Sequence, residues 1–258
     1  MDDAGGEGWS FKVSWQNDGL VLAAASLVAL LGRAARERVV EPHCFPCDEE
    51  AINPFDREVV RWHSRSLDSL SYVVEIAALC TPVISSLREH GPGRDLFKDL
   101  LVYAEVVAIN SAANIVVKSV AARPVPRVYT SLFPELEREA RGYGSFYSGH
   151  CAHTTGALAA NAAMARLRGR RGFWPWMLAA GGAALISATR VGAGRHFYTD
   201  VAAGSLAGTA IGALVPRLHP GTRSDGRGPL GGDSARPAAV GSGRRGRLAS
   251  IAGRSAST

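Results

Sequence analysis

A chain of 258 residues needs no more than one sizeable domain. Apolar residues make up 47 % and charged residues only 20 %, unevenly placed, which suits a compact helical membrane protein better than a soluble enzyme. The net charge of +6 does not mark a nucleic-acid groove: residues 217–258 hold eight Arg against two Asp, so the last segment carries the whole excess and no nucleic-acid partner is expected.

Six apolar stretches follow in chain order, at about 19–35, 69–87, 98–118, 151–167, 173–190 and 200–216. Each is near the roughly 20 residues a helix needs to cross a bilayer, and several are marginal. The first follows the acidic MDDAGGEG and reads as a retained helix, since a signal peptide would begin short and basic. The second holds Glu75 and the third Glu105, Asn110 and Asn114, polar groups expected to face a bundle interior or each other. The fifth and sixth are the cleanest apolar runs. In the sixth, Gly204, Gly208 and Gly212 recur at four-residue spacing and place small residues on one face, where a neighbouring helix can come close.

The loops set an orientation. Arg166, Arg168, Arg170 and Arg171 join the fourth and fifth stretches without an acid among them, whereas loops 36–68 and 119–150 mix both signs. The positive-inside rule then puts both termini in the cytoplasm and the long loops outside, as in a bacterial inner membrane protein with an outward-facing site. Cys44 and Cys47 form a lone C-x-x-C in the first long loop, read as a small local disulfide or as nothing functional, while Cys80 and Cys151 read as packed thiols. From about Thr222 the chain is Gly, Ser, Pro and Arg, too poor in large apolar groups to order itself. Such a basic tail either rests on anionic headgroups or is simply solvated. The expected division is an N-terminal segment, 1–68, with the first helix and outer loop, a core, 69–216, and a basic disordered tail, 217–258.

Three clusters place cations and histidines at the ends of apolar helices, where an unpartnered charge is costly. The first runs from Lys118 to Arg123-Pro124-Val125-Pro126-Arg127, the second is Ser145-Phe146-Tyr147-Ser148-Gly149-His150, and the third joins Thr189-Arg190 to His196 and Asp200. Alternating helices bring all three to one face. Together they have the chemistry of a phosphate site. Lys118, one or more of the arginines near 123, and Arg190 can surround phosphate oxygens. Ser148 and the Gly149 N–H stand at a helix start that favours an anion. Asp200 lies one turn from His196 and can orient it as a nucleophile, and His150 can protonate the leaving group. His43, His63, His90, His153 and His219 read as structural, with His153, one turn after His150, a secondary candidate.

These clusters resemble the three-part signature of the type-2 phosphatidate phosphatase (lipid phosphate phosphatase) superfamily, which includes glucose-6-phosphatase, bacterial acid phosphatases and vanadium haloperoxidases. The pattern K-x6-R-P, P-S-G-H and S-R-x5-H-x3-D is met in its third part with Thr189 for Ser, and in its second with Tyr147 for Pro. In the first part, seven residues after Lys118 stands Val125, with Arg123 and Arg127 on either side. The resemblance spans about 69–216 and implies an all-α, six-helix transmembrane bundle with an outward site between the third and sixth helices. It implies a hydrolase of lipid phosphate or diphosphate monoesters working through a phosphohistidine. No metal or other cofactor is expected, since no acidic cluster with metal-ligand spacing accompanies the motifs. The expected catalytic residues are His196, His150 and Asp200, with Lys118, Arg123, Ser148, Gly149 and Arg190 on the phosphate. The rival readings are a phosphotransferase using the same site, a haloperoxidase with the same anion cradle, and a non-catalytic binder of lipid phosphates.

Overall fold

The computed structural model describes residues 9–219 and 221–223. Seven α-helices lie among the described residues: α1 (Trp15–Val39), α2 (Pro54–Arg57), α3 (Arg65–His90), α4 (Arg94–Ala121), α5 (Gly149–Leu167), α6 (Trp174–Gly192) and α7 (Tyr198–Leu218). The strands β1 (Trp9–Phe11) and β2 (Gly221–Arg223) pair antiparallel, Ser10 opposite Thr222. The fold is all-α in its body. The six long helices fall on the six apolar stretches, and α2 is a single turn in the first long loop.

Four of these helices, α1, α3, α4 and α7, are long and apolar enough to cross a membrane. The sequence reading of six spans is thus met in full by four. The two remaining long helices have 19 residues each. In α5 the apolar run is interrupted by His150, His153 and Asn161, and α6, read above as one of the cleanest, is diluted by Trp174-Pro175-Trp176 at its start and Arg190 near its end. The tail boundary also moves. Residues 221–223 form β2, inside the stretch assigned to a disordered tail, while residues 1–8 and 224–258, including the basic stretch that could meet anionic lipid, lie outside the described residues.

Small residues put α5 in the middle. Its Ala, Gly and Thr side chains are buried along nearly the whole helix, which packs against α3, α4, α6 and α7. The glycine row of α7 makes the closest of these contacts. A Cβ on Gly204 would lie 2.5 Å from the Ser148 carbonyl oxygen, and Cβ atoms on Gly208 and Gly212 would run into the carbonyls of Ala152 and Gly156. In contrast, α1 has no buried residue and rests on α4, with Gly32 facing Ile115.

The polar residues of α3 and α4 do face inward. Asn110 Nδ2 donates to Ala152 O at 2.7 Å and Asn114 Nδ2 to Tyr147 O at 2.9 Å, so these amides satisfy carbonyls at the start of α5. At the end of α4, Ala122 takes a left-handed conformation (φ 39°) that stops the helix, and Pro124 keeps the chain from resuming it.

Gly208→Ala should destabilise the bundle by about 1–3 kcal/mol, the usual cost of overpacking. Gly181→Ala, where a Cβ meets nothing within 4 Å, should be neutral or stabilising by up to about 1 kcal/mol. Thermal unfolding of the purified protein in detergent separates the two; equal effects would mean the glycine row does not set the α5–α7 contact.

Candidate active site

The three clusters meet at one end of the bundle, where α4 ends and α5 and α7 begin. Ser148 caps α5, its Oγ accepting from Cys151 N at 3.4 Å, and its own N–H donates to Asp200 O at 3.1 Å, which ties the second cluster to the third. His196 sits between α6 and α7 and is buried. Its Nδ1 lies 2.8 Å from the Ser145 carbonyl oxygen. A carbonyl can only accept, so Nδ1 carries the proton and Nε2 keeps a free lone pair.

Asp200 takes a different part from the one expected of it. Its Oδ2 is 3.8 Å from His196 Nδ1, an ion-pair separation and no hydrogen bond. The carboxylate instead accepts from Arg123 at 2.5 Å, from the Phe197 N–H at 2.9 Å and from Ser145 Oγ. Asp200 therefore holds Ser145, and the Ser145 carbonyl holds His196. Sequence spacing could show that Asp200 is one turn from His196, but not that a residue from another segment comes between them.

Arg123 is likewise committed elsewhere. One guanidinium nitrogen serves Asp200 and Thr199, the other Asp56 at 2.8 Å, and the plane lies over the Phe197 ring. Both carboxylates are fully buried. Arg123, expected on the phosphate, could move to one only by stranding two buried anions. Asp56, from the loop whose purpose the sequence left open, also accepts from Asn53 and from the N–H and Oγ of Thr199. Burial alone would raise its pKa, but the hydrogen bonds from Thr199, Arg123 and Asn53 prevail and hold it below the usual carboxylate range.

A second group of arginines surrounds one carboxylate. Asp68, on α3, accepts from Arg190 at 3.0 Å and from Arg195 at 3.0 and 2.6 Å, and Arg127 stands 3.6 Å away. Arg190 also donates to Ser71 Oγ, Arg127 to Ala193 O, and the Nε atoms of Arg190 and Arg127 are buried without a partner. Three cations against one anion leave an excess of positive charge and unused donors. Arg195 lies inside the spacer of the third motif, at a position the motif leaves unspecified.

Lys118 donates to the Gly144 carbonyl at 2.9 Å and lines a polar cavity of about 500 Å³ with Arg33, Arg36, Asn114 and His153. Arg33 and Arg36 come from α1, read above only as a membrane helix. The charges of Lys118 and Arg190 both act on His150 and on His196. Burial lowers the His196 pKa to about 3; Lys118 and Arg190 push the same way and Asp200 opposes them. His150 Nε2 is 3.3 Å from Glu75 Oε2 but too poorly aligned for a hydrogen bond, and His153 Nδ1 is 3.1 Å from Glu75 Oε1. Glu75 thus spans both histidines. Its position mid-helix in an apolar run was the one sequence sign of this.

A helical body with four helices able to cross a membrane, and a half-buried lysine, arginines and two histidines gathered at one end, has the make-up of an integral membrane protein suited to meet anions. Residues 99–224 match the family model described as the PAP2 superfamily, the superfamily whose signature the three clusters resemble. The match supports phosphatase-type activity on phosphate esters. The match takes in every residue of the three clusters, but Asp56, Asp68 and Glu75 lie before it. No curated protein and no solved structure matches the chain.

The depressed His196 pKa has a consequence for stability. Above about pH 6.5, its value in an unfolded chain, folded and unfolded forms both hold a neutral ring and His196 adds no pH dependence. Below that the unfolded chain takes a proton that the folded site refuses until about pH 3, so stability falls with falling pH by up to about 1.4 kcal/mol per unit. Thermal unfolding from about pH 7 to about pH 4 should show this slope, and His196→Gln should reduce it.

Proposed function

We propose that the protein hydrolyses the phosphate monoester of a lipid phosphate or diphosphate through a phosphohistidine on His196. The observation that carries this reading is His196 itself: its Nδ1–H is fixed on Ser145 O, its lone pair is on Nε2, and Lys118 and Arg190 act on the same buried spot. Nε2 attacks phosphorus in line, the P–N bond forms as the ester P–O bond breaks, and His150 gives its proton to the leaving alkoxide. Water then attacks the phosphohistidine, His150 takes the proton back, and inorganic phosphate leaves. Burial and the Arg190 charge lower the His150 pKa, and Glu75, bridging His150 and His153, opposes them.

The phosphate oxygens fall to Lys118, Arg190, Ser148, the Gly149 N–H and, in place of Arg123, to Arg127 and Arg195. Substrate would displace part of the contact these arginines make with Asp68. Cationic side chains supply the charge neutralisation that other phosphatases obtain from metal ions, so the chemistry runs without a metal at this end. Arg123 is a positioning residue that keeps Asp200, and through it Ser145 and His196, in place.

A lipid substrate is supported by what borders the polar cavity. An apolar groove of about 460 Å³, lined by Leu27, Leu31, Val116 and Val120, shares Arg36 and Ile115 with it. A headgroup beside Lys118 would have its chain against this groove. The site faces outward in this reading. The Cys44–Cys47 disulfide packs over the same end, Tyr143 Oη donating to Cys44 O at 2.5 Å and Cys47 N to Val128 O at 3.1 Å, and disulfides persist in oxidising compartments. The arginines of 166–171 then lie inside. Membrane-impermeant thiol labelling of single cysteines placed at 170 and 195 should mark only the latter; the reverse pattern would overturn the orientation.

Phosphate release across a panel of lipid phosphates tests the activity. His196→Ala should abolish turnover and the acid-labile label trapped from labelled substrate. His150→Ala should lose about 10²–10⁴-fold on alkyl phosphates and recover part of that with a good leaving group. Arg127→Ala should cost several kcal/mol of transition-state binding. A required acceptor alcohol would indicate the phosphotransferase, and lipid binding without phosphate release the non-catalytic binder.

A further inference from the structure

At the far end of the bundle, Asp18 in the first turn of α1, Glu105 in α4 and His219 just past α7 bring their ligand atoms within 4.8 Å of one another. His219 Nδ1 lies 2.9 Å from the Val215 carbonyl oxygen, so this nitrogen carries the hydrogen and Nε2 of the neutral ring is a lone pair. That lone pair faces Glu105 Oε2 at 3.3 Å and Asp18 Oδ1 at 3.7 Å. Three acceptors thus point at one another. Neither contact is aligned as a hydrogen bond, and Glu105, only 3 % exposed, has its second oxygen buried without a partner.

A proton on Nε2 could be aimed at one oxygen only and would leave the three groups with one net negative charge. A divalent ion neutralises both carboxylates and takes all three atoms. In a tetrahedral site with bonds of about 2.1 Å, ligand atoms stand about 3.4 Å apart, close to the two separations seen here. The surroundings are built as for a metal ligand. The ring is oriented by a backbone carbonyl on its other nitrogen and packed edge-on by Phe11, and Asp18 Oδ2 is held by the Ser14 N–H at 2.8 Å. A cavity of about 470 Å³ beside the three residues gives room for a water as further ligand. Lys12, also on that cavity, is exposed and forms no ion pair with them.

We infer that Asp18, Glu105 and His219 bind a divalent transition-metal ion, with Zn²⁺ the best match to one imidazole and two carboxylates. The ion joins three helices. It anchors the start of α1, which buries no residue of its own, to α4 and to the end of α7, next to the β1–β2 pair that links the same chain segments. The site is structural, separate from the phosphate-ester end, and does not depend on the activity proposed there.

Titration of Zn²⁺ into chelator-stripped, tag-free full-length protein by calorimetry should show one ion bound per chain. Affinity should fall at least about 100-fold in His219→Gln and in Glu105→Gln, the order of effect expected for loss of a ligand. Zn²⁺ should raise the Tm of the parent and not of either variant. If Glu105→Gln does not fold, His219→Gln and Asp18→Asn, both nearer the surface, carry the test. Absence of saturable binding in the parent, or undiminished binding in the variants, would overturn the inference and leave a protonated His219 bridging two carboxylates.

Discussion

The buried Asp200 carboxylate is the contact on which the end of the bundle holding the three motif clusters depends. It is fully buried, and its three donors come from three places: Arg123 after α4, Ser145 before α5 and the Phe197 N–H at the start of α7. A carboxylate in such a position must be satisfied on both oxygens or become costly, so its needs fix the geometry of everything around it. Arg123 in turn must balance Asp200 and Asp56 together, which draws the 36–68 loop onto the bundle. The histidine is positioned last in this chain, by a backbone carbonyl whose own place Asp200 has set.

Charge explains why two groups of arginine behave differently. Arg123 meets two anions and is balanced, and no positive charge remains for a ligand. Around Asp68 the ratio is reversed, three cations to one anion, and two Nε atoms stay without partners. A site that neutralises a phosphate ester needs that surplus, held in place before the ligand arrives, because donors already oriented cost nothing to reorganise in the transition state. Asp68 keeps the surplus from being prohibitive in the absence of ligand, since mutual repulsion among three neighbouring guanidinium groups, two of them mostly buried, is lessened by one shared carboxylate.

The bundle permits this density of charge because its centre is made of small residues. With Ala, Gly and Thr along α5 and the glycine row on α7, the helices approach until backbone carbonyls are in contact with α-carbons. Close backbones leave the bulky and charged side chains to the two ends, one carrying the three motif clusters and the other the Asp18, Glu105 and His219 group. The helix α1 touches both: Arg33 and Arg36 reach the polar cavity, and Asp18 lies in the opposite cluster.

The sequence by itself determined the six long helices, the three motif clusters and their meeting at one end, because apolar runs and the spacing of Lys118, His150, Arg190, His196 and Asp200 are local facts. It also foretold that Glu75, Asn110 and Asn114 would turn inward, since polar atoms in an apolar run have nowhere else to go. Only the tertiary structure decided which arginine pairs with which acid. Arg123, Arg127 and Arg195 are alike in sequence, and their difference comes from Asp56 and Asp68, whose partners Arg123 and Arg195 lie 67 and 127 residues further along the chain. The insertion of Ser145 between Asp200 and His196, and the facing lone pairs at His219, belong to the same class. A hydrogen bond depends on the direction of a donor as well as its distance, and direction is set by how segments remote in sequence are packed.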